Sequence, residues 1–429
     1  MWKFFRKQYK KKLDNVSTSL CLAKWTQSNI YLASGTTHSC HHPNTHVIPL
    51  HEIKNNPGAL HNTSYKISQR KLMLSNVRPS ECDYCWRVED QGNISDRVTK
   101  SFTSWARPFF KEIVKHGAEL DIPKYIEVSF DNTCNLKCSY CGPQFSSKWV
   151  EELQQQGAWP SAIDYYNSFK IIRNNEENPY IDAFWKWFPA VYTKLHTFRI
   201  TGGEPLLSKN TFKVLDQLIE TPNRKLHIGV NTNLAVPDKS LDLFIEKVKK
   251  LKVKSLTIHT SCDAHGSAAE YARHGLDYNK WLKNCQRILD ELPNAKLDIM
   301  VTYNVFSVTT FIDFLKDISL LKRKRWFQKQ RVSVSIGYLR SPKQLAIWVL
   351  PKEYVSHIAE QLAYMKVNKF TKTEINQLER LVTLFDHNKE AQDTLQQQFK
   401  MFVQEHDRRR GTNLTTSIPS LTSFYQSCK

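Results

Sequence analysis

Six short strand-like runs, at 125–130, 196–201, 226–232, 256–261, 297–303 and 332–338, constrain this chain more than any other feature. The stretches between them are too long for hairpins, and 212–219, 241–251 and 311–321 carry apolar residues at helical spacing. Strands alternating with helices in this way build a parallel α/β sheet. Strands covered on both faces read as nearly continuous apolar runs. These alternate instead. Ile126, Val128 and Phe130 are interleaved with Glu127 and Ser129, and Leu297, Ile299 and Val301 with Asp298 and Thr302. Val332, Val334 and Ile336 are likewise interleaved with Ser333 and Ser335. With the apolar set packed on outer helices, the other set lines a polar interior. An incomplete barrel has room for such a lumen, whereas a closed small barrel fills itself with side chains.

The first run leads into Cys134, Cys138 and Cys141, a C-x3-C-x2-C spacing that lets one loop wrap three corners of an iron-sulfur cube. The fourth iron then keeps an open coordination site. Zinc, the alternative, usually takes four closed ligands from two close pairs. After the second run comes Thr201-Gly202-Gly203-Glu204-Pro205. Its glycines permit close backbone approach to a ligand, and Glu204 offers an acceptor to an ammonium-like donor.

The two motifs in this order resemble the radical S-adenosylmethionine (SAM) superfamily. The resemblance implies a partial (β/α)6 barrel, and a 4Fe-4S cluster on Cys134, Cys138 and Cys141 as the catalytic centre. It implies SAM chelated to the open iron, with Tyr140, Gly202, Gly203, Glu204 and Pro205 in the cofactor site. Ser261, in Ser261-Cys262-Asp263-Ala264, and Arg273 are further implied SAM contacts, although the family often has glycine where Ala264 stands. Asn304 reads either as a ribose or adenine contact or as a turn asparagine at a strand end. The implied reaction is reductive cleavage of SAM to a 5'-deoxyadenosyl radical that abstracts hydrogen from a substrate. A low-potential electron donor such as flavodoxin or ferredoxin would feed it.

Four more cysteines lie upstream: Cys21, Cys40, Cys82 and Cys85. Cys21 opens a Cys-x3-Trp, Asn55-Asn56-Pro57 makes an Asn-rich turn, and Arg70 to Leu74 precedes the C-x2-C at Cys82 and Cys85. The set resembles the twitch or SPASM region of radical SAM maturases and implies an auxiliary iron-sulfur cluster, here before the core instead of after it. His38, His41, His42 and His46 crowd Cys40, so a mixed-ligand or zinc site is also open. Cys262, Cys285 and Cys428 have no partner spacing and read as ordinary cysteines.

The expected organisation is a basic segment at 1–20, a twitch-like region at 21–118, the core barrel at 119–350 and a helical C-terminal extension at 351–429. The Trp- and Tyr-rich stretch 143–195 should add helices beside the cluster. With 41% hydrophobic residues the chain can bury a sizeable core. No apolar run is long enough to span a bilayer and none resembles a signal peptide, so a cytoplasmic location without membrane association is expected. The 61 Lys and Arg against 41 Asp and Glu favour anionic partners. The basic clusters at Lys10 to Lys12, Lys247 to Lys250, Lys322 to Arg325 and Arg408 to Arg410 nevertheless read first as solvated faces. By resemblance to twitch-bearing members the substrate is a peptide or protein side chain. A nucleotide or RNA is the alternative substrate, and a non-catalytic zinc-stabilised nucleic-acid-binding protein the alternative of another class.

Overall fold

The computed structural model describes residues 2–167, 177–323, 330–386 and 392–428. Lys324 and Arg325 of the third basic cluster and part of the 143–195 stretch lie outside them. The described strands are β1 (Gln27–Tyr31), β2 (Thr36–His38), β3 (His46–Val47), β4 (Tyr125–Ser129), β5 (Lys137–Cys138), β6 (Thr197–Thr201), β7 (His227–Thr232), β8 (Ser255–Ser261), β9 (Arg273–His274), β10 (Ala295–Tyr303) and β11 (Val332–Tyr338). Nine of them form one sheet in the order β11-β10-β8-β7-β6-β4-β1-β2-β3. From β11 to β1 all pairs are parallel. The six expected strands are the block from β4 to β11, and each pairs with its successor in the chain. That order matches a partial barrel wall, unlike a doubly wound sheet, whose order reverses at a switch point.

Burial alternates along these strands as the pattern requires. In β10, Leu297, Ile299, Val301 and Tyr303 are buried against the outer layer, while Asp298, Met300 and Thr302 are only half-buried on the inner face. The helix Tyr278–Glu291 shows why the outer layer forms. Asp277 caps it by accepting from the Lys280 N–H at 2.9 Å, and Trp281, Cys285, Ile288 and Leu289 make one buried face. Burying those four side chains contributes about 6–12 kcal/mol before chain entropy is counted.

Of the nine strands in this sheet the sequence reading omits three. β1 pairs in parallel with β4, Gln27 opposite Tyr125 and Asn29 opposite Glu127, and β2 and β3 continue the sheet antiparallel. The run Gln27-Ser28-Asn29 has no hydrophobic alternation because its side chains face polar surroundings while remaining buried. The basic segment at the N-terminus is also built in. It forms the helix Trp2–Asp14, whose Tyr9 and Leu13 join Trp25, Met73, Trp86 and Ile113 in a second core separate from that of the sheet.

The C-terminal helices pack on the same main core, and the last long helix, Gln392–Arg410, ends at Gly411 with φ +64°. Among the described residues no helix is long and apolar enough to cross a membrane.

Candidate active site

Beyond β4 the chain enters the cysteine loop, which is held from several sides. Asn135 donates to the Ala235 carbonyl at 2.9 Å and accepts from the Asn233 amide at 2.9 Å. The two-stranded pairing of β5 with β9 sets Cys138 opposite Arg273. Loop carbonyls are taken up by the aromatic-rich stretch: Trp149 Nε1 donates to Cys138 O at 3.0 Å and the Tyr166 hydroxyl to Ser139 O at 2.5 Å. Arg410, in a region where the sequence showed no chemistry, donates to Lys137 O at 2.8 Å and pairs with buried Glu152 at 3.0 Å.

Cys134, Cys138 and Cys141 line one cavity of about 220 Å³ together with Tyr140, Gly202, Gly203, Ser261 and Arg273. Eight of the residues singled out from sequence therefore meet there. Thr302, one of the polar strand residues expected to face the interior, lines it too, and Asn231 and Asn233, at and just beyond the end of β7, line it without having been anticipated. Glu204, Pro205 and Asn304 are not among the lining residues. Pro205 is buried at the start of a short turn. Asn304 is fully buried and makes that turn itself, accepting from Phe306 N–H at 2.9 Å and donating to Thr302 O at 2.8 Å. Of its two readings, the geometry matches the turn asparagine.

The two glycines are required for a reason other than ligand approach. A Cβ on Gly203 would lie 2.3 Å from Thr133 O and 2.7 Å from the Asn132 carbonyl carbon. Gly202 has φ +127°, and a Cβ there would lie 2.7 Å from Ser129 Oγ. The motif thus packs backbone to backbone against the stem of the cysteine loop, with Glu204 N–H donating to Thr133 O at 2.7 Å. The Glu204 carboxylate points back into the fold. It accepts from Leu206 N–H at 3.0 Å and Asn233 N–H at 2.6 Å. Burial pushes its pKa up to about 7, against the pull of those backbone donors.

Arg273 and Asp263 form a buried bidentate pair, Nε to Oδ2 at 2.8 Å and Nη2 to Oδ1 at 3.0 Å. Asp263 also accepts from the Tyr140 hydroxyl at 2.6 Å and from Thr302 N–H at 2.8 Å. Both Tyr140 and Arg273 are thereby fixed, and Arg273 Nη1 still reaches the Cys138 sulfur at 3.6 Å. Sequence reading passed over Asp263 because its partner is set by tertiary contact.

The donor set fits an iron-sulfur cluster. Burial pushes all three thiols up, Cys141 to about 12, so that a metal centre is what would hold them as thiolates. Arg273 acts in the opposite direction on Cys138 and Cys141, and Leu136 N–H faces the Cys134 sulfur at 3.5 Å.

The upstream cysteines converge as well. Cys21, Cys40, Cys82 and Cys85 line a single pocket with Lys24, Lys100, Arg97 and His42. Burial pushes Cys82 and Cys85 up to about 12, and Lys24 offsets this at Cys82. Of the four histidines near Cys40, only His42 lines the pocket. His38 is buried and stacks on Tyr31, and His46 bonds Thr63.

The sequence profile of the Radical SAM superfamily matches residues 128–318, which hold both motifs. GTP 3',8-cyclase of Clostridium acetobutylicum is 26% identical over 147 residues, 34% of this chain and 38% of that one. The molybdenum cofactor biosynthesis protein moc-5 of Caenorhabditis elegans is 24% identical over 216 residues, 50% of this chain and 30% of that one. The chain spans about a third of the length of these curated relatives. Streptococcus suis SuiB bound to its precursor peptide SuiA superposes with a TM-score of 0.37 at 15% identity, over 86% of this chain and 70% of that one. With both motifs inside the matched segment and their residues around one cavity, residues 128–318 are those of a radical SAM enzyme domain, a superfamily that depends on SAM and a 4Fe-4S cluster.

Proposed function

We propose that Cys134, Cys138 and Cys141 hold the catalytic cluster, that SAM lies in the adjoining cavity, and that the substrate sits in the polar lumen below it. The observation that carries this reading is the convergence of three thiols, the Gly202-Gly203 turn and Arg273 on one cavity that opens on lumen-facing Asn231 and Thr302. When bound, cluster and cofactor would supply the reductive cleavage to a 5'-deoxyadenosyl radical and the hydrogen abstraction. The chain's own tasks are narrower. The Asp263–Arg273–Tyr140 network holds β5, the cysteine loop and the end of β10 in register. Gly202 and Gly203 let β6 close on that loop, and the surrounding aromatic and arginine donors leave its carbonyls satisfied.

The upstream pocket we assign to an auxiliary iron-sulfur cluster. Lys24, Lys100 and Arg97 suit the net negative charge of a four-thiolate cluster. The peptide or protein substrate and the flavodoxin- or ferredoxin-type donor rest on family resemblance. The relatives named GTP 3',8-cyclase and the net charge of +20 favour a nucleotide substrate. The match of residues 128–318 to an enzyme superfamily speaks against the non-catalytic zinc protein.

Anaerobic reconstitution is expected to give about eight irons per chain, with 5'-deoxyadenosine formed on reduction. Cys138→Ala should abolish that product; turnover by this variant would refute the central assignment. Cys82→Ala should lose about half the iron. An unchanged iron count would remove the auxiliary cluster.

A further inference from the structure

Two imidazoles of this chain are aimed at one carboxylate oxygen. His42 Nε2 lies 2.8 Å from Asp96 Oδ2 and His41 Nε2 lies 3.5 Å from the same atom, and the three ligand atoms all fall within 4.8 Å of one another. The other two histidines near Cys40 are used differently. His38 meets the Cys40 carbonyl and the Tyr31 hydroxyl, and His46 meets the Thr63 hydroxyl. A simple ion pair accounts for His42 but not for His41, whose 3.5 Å exceeds the about 2.7–2.9 Å of a charge-assisted hydrogen bond. Both separations suit donors around one metal ion. Two ligand atoms each about 2.0–2.1 Å from a zinc-like ion stand about 2.9 Å apart at a right angle and about 3.4 Å apart at the tetrahedral angle.

The surrounding chain holds these side chains in place. Asp96 opens the helix Asp96–Ser101, and its two neighbours are tied to one carboxylate: Ser95 Oγ and Arg97 Nε donate to Glu89 Oε1 at 2.5 and 2.7 Å. Arg97 is buried and donates also to Leu20 O and to Asp14, each at 2.9 Å. The backbone that presents Asp96 is thus anchored on both sides. His42 stacks on Tyr84, the rings 3.9 Å apart and 16° from parallel. The His41 side chain is 58% exposed and leaves a path from solvent. Lys100, the lysine that acts electrostatically on Asp96, donates to Gln27 at 3.3 Å.

We propose that His41, His42 and Asp96 bind one divalent first-row metal ion at the rim of the upstream cysteine pocket. Two imidazoles and a carboxylate suit such an ion and leave coordination positions for water or an added ligand. His42 and Asp96 also line the cysteine pocket, and His41 follows Cys40 directly in the turn between β2 and β3. The ion therefore ties the segment carrying Cys40 to a helix 54 residues away in the chain, and closes the pocket on that side. Its donors are nitrogen and oxygen, so it is additional to a cluster held by the four thiols. The site lies outside residues 128–318 and is independent of the SAM chemistry.

The test uses the anaerobically reconstituted full chain, cleared of loose metal with a weak chelator and then dialysed against zinc alone. Beside it stand His41→Ala, a change at an exposed side chain, and the near-isosteric Asp96→Asn, both checked for wild-type iron content. Wild type should take up about one zinc per chain that each variant binds about tenfold more weakly or worse. X-ray absorption at the zinc edge should show that ion surrounded by nitrogen and oxygen at about 2.0–2.2 Å, without sulfur at about 2.3 Å. No zinc on the wild type, undiminished binding by either variant, or sulfur around the zinc that the variants lose would overturn the proposal. An iron count of about four in the wild type would instead fail the auxiliary-cluster reading, so the two failures are distinct.

Discussion

Replacing Arg273 with methionine tests how the active-site loop is held. Asp263 is fully buried and Arg273 nearly so, and the pair shares two hydrogen bonds at 2.8 and 3.0 Å. Without the guanidinium, Asp263 retains only the Tyr140 hydroxyl and Thr302 N–H as donors. Breaking a buried ion pair from one side costs about 3–5 kcal/mol, most of it the penalty for the charge left behind. At a urea m-value of about 3 kcal/mol/M or more, the midpoint should fall by about 1 M. Arg273→Met/Asp263→Leu removes both charges and should recover at least about 2 kcal/mol relative to the sum of the single changes. The measurement is urea unfolding of iron-free protein by far-UV circular dichroism. A guanidinium needed only for SAM would leave iron-free stability untouched, so an unchanged midpoint in Arg273→Met, or strict additivity in the double variant, would refute the reasoning.

Three further outcomes are expected. Gly203→Ala places a Cβ 2.3 Å from Thr133 O, a clash with backbone that only movement of the cysteine stem relieves. It should cost about 3 kcal/mol and lower iron loading, read by iron content per chain. Glu204 has its folded pKa raised to about 7 from 4.5. Its stabilising contribution is therefore fully present below pH 4.5 and is lost as pH rises through 7, by about 3 kcal/mol. Glu204→Gln should flatten that slope between pH 5 and 8 in urea midpoints, and parallel profiles would contradict it. Glu374 accepts from Val334 N–H at 2.8 Å on the edge of β11 and pairs with Lys322 at 2.8 Å. Glu374→Ala should destabilise by about 3 kcal/mol and promote association through the bared edge, seen by light scattering.

The parts legible in the sequence were those with a local period. The six strands appear where alternation put them, because a one-sided apolar pattern fixes both the strand and its face. The cysteine spacing located its loop for the same reason. What stayed hidden depends on distant partners. β1 has no apolar alternation, since Gln27 and Asn29 turn toward the lumen side, and its place follows only from pairing with β4. Asp263 is an ordinary acid in the sequence, ten residues before the arginine that neutralises it. Arg410 lies 273 residues from Lys137, whose carbonyl it holds. Glu204 was legible as a motif residue but not in its orientation, because backbone N–H groups of two loops compete for its carboxylate.

The placement of the upstream cysteine region before the core has a topological reason. An open block of six parallel strands has two bare edges, at β4 and β11. A segment preceding β4 can reach the first edge directly, and β1 takes it by parallel pairing. The segment after β11 covers the other edge by side chains: Glu374 and Gln377 accept from Val334 and Ile336 N–H at 2.8 Å, and Arg380 donates to Ile336 O at 2.7 Å. The outermost strand left is β3, two residues long, too short to template pairing with another chain. Pairing of β1 also carries the cysteine pocket to the lumen wall. Lys100, which lines that pocket, donates to Gln27 at 3.3 Å, and Gln27 donates to Asn29 at 3.0 Å, opposite Glu127 of β4. The upstream cysteine pocket is therefore tied through Lys100 and β1 to the β4 edge of the sheet.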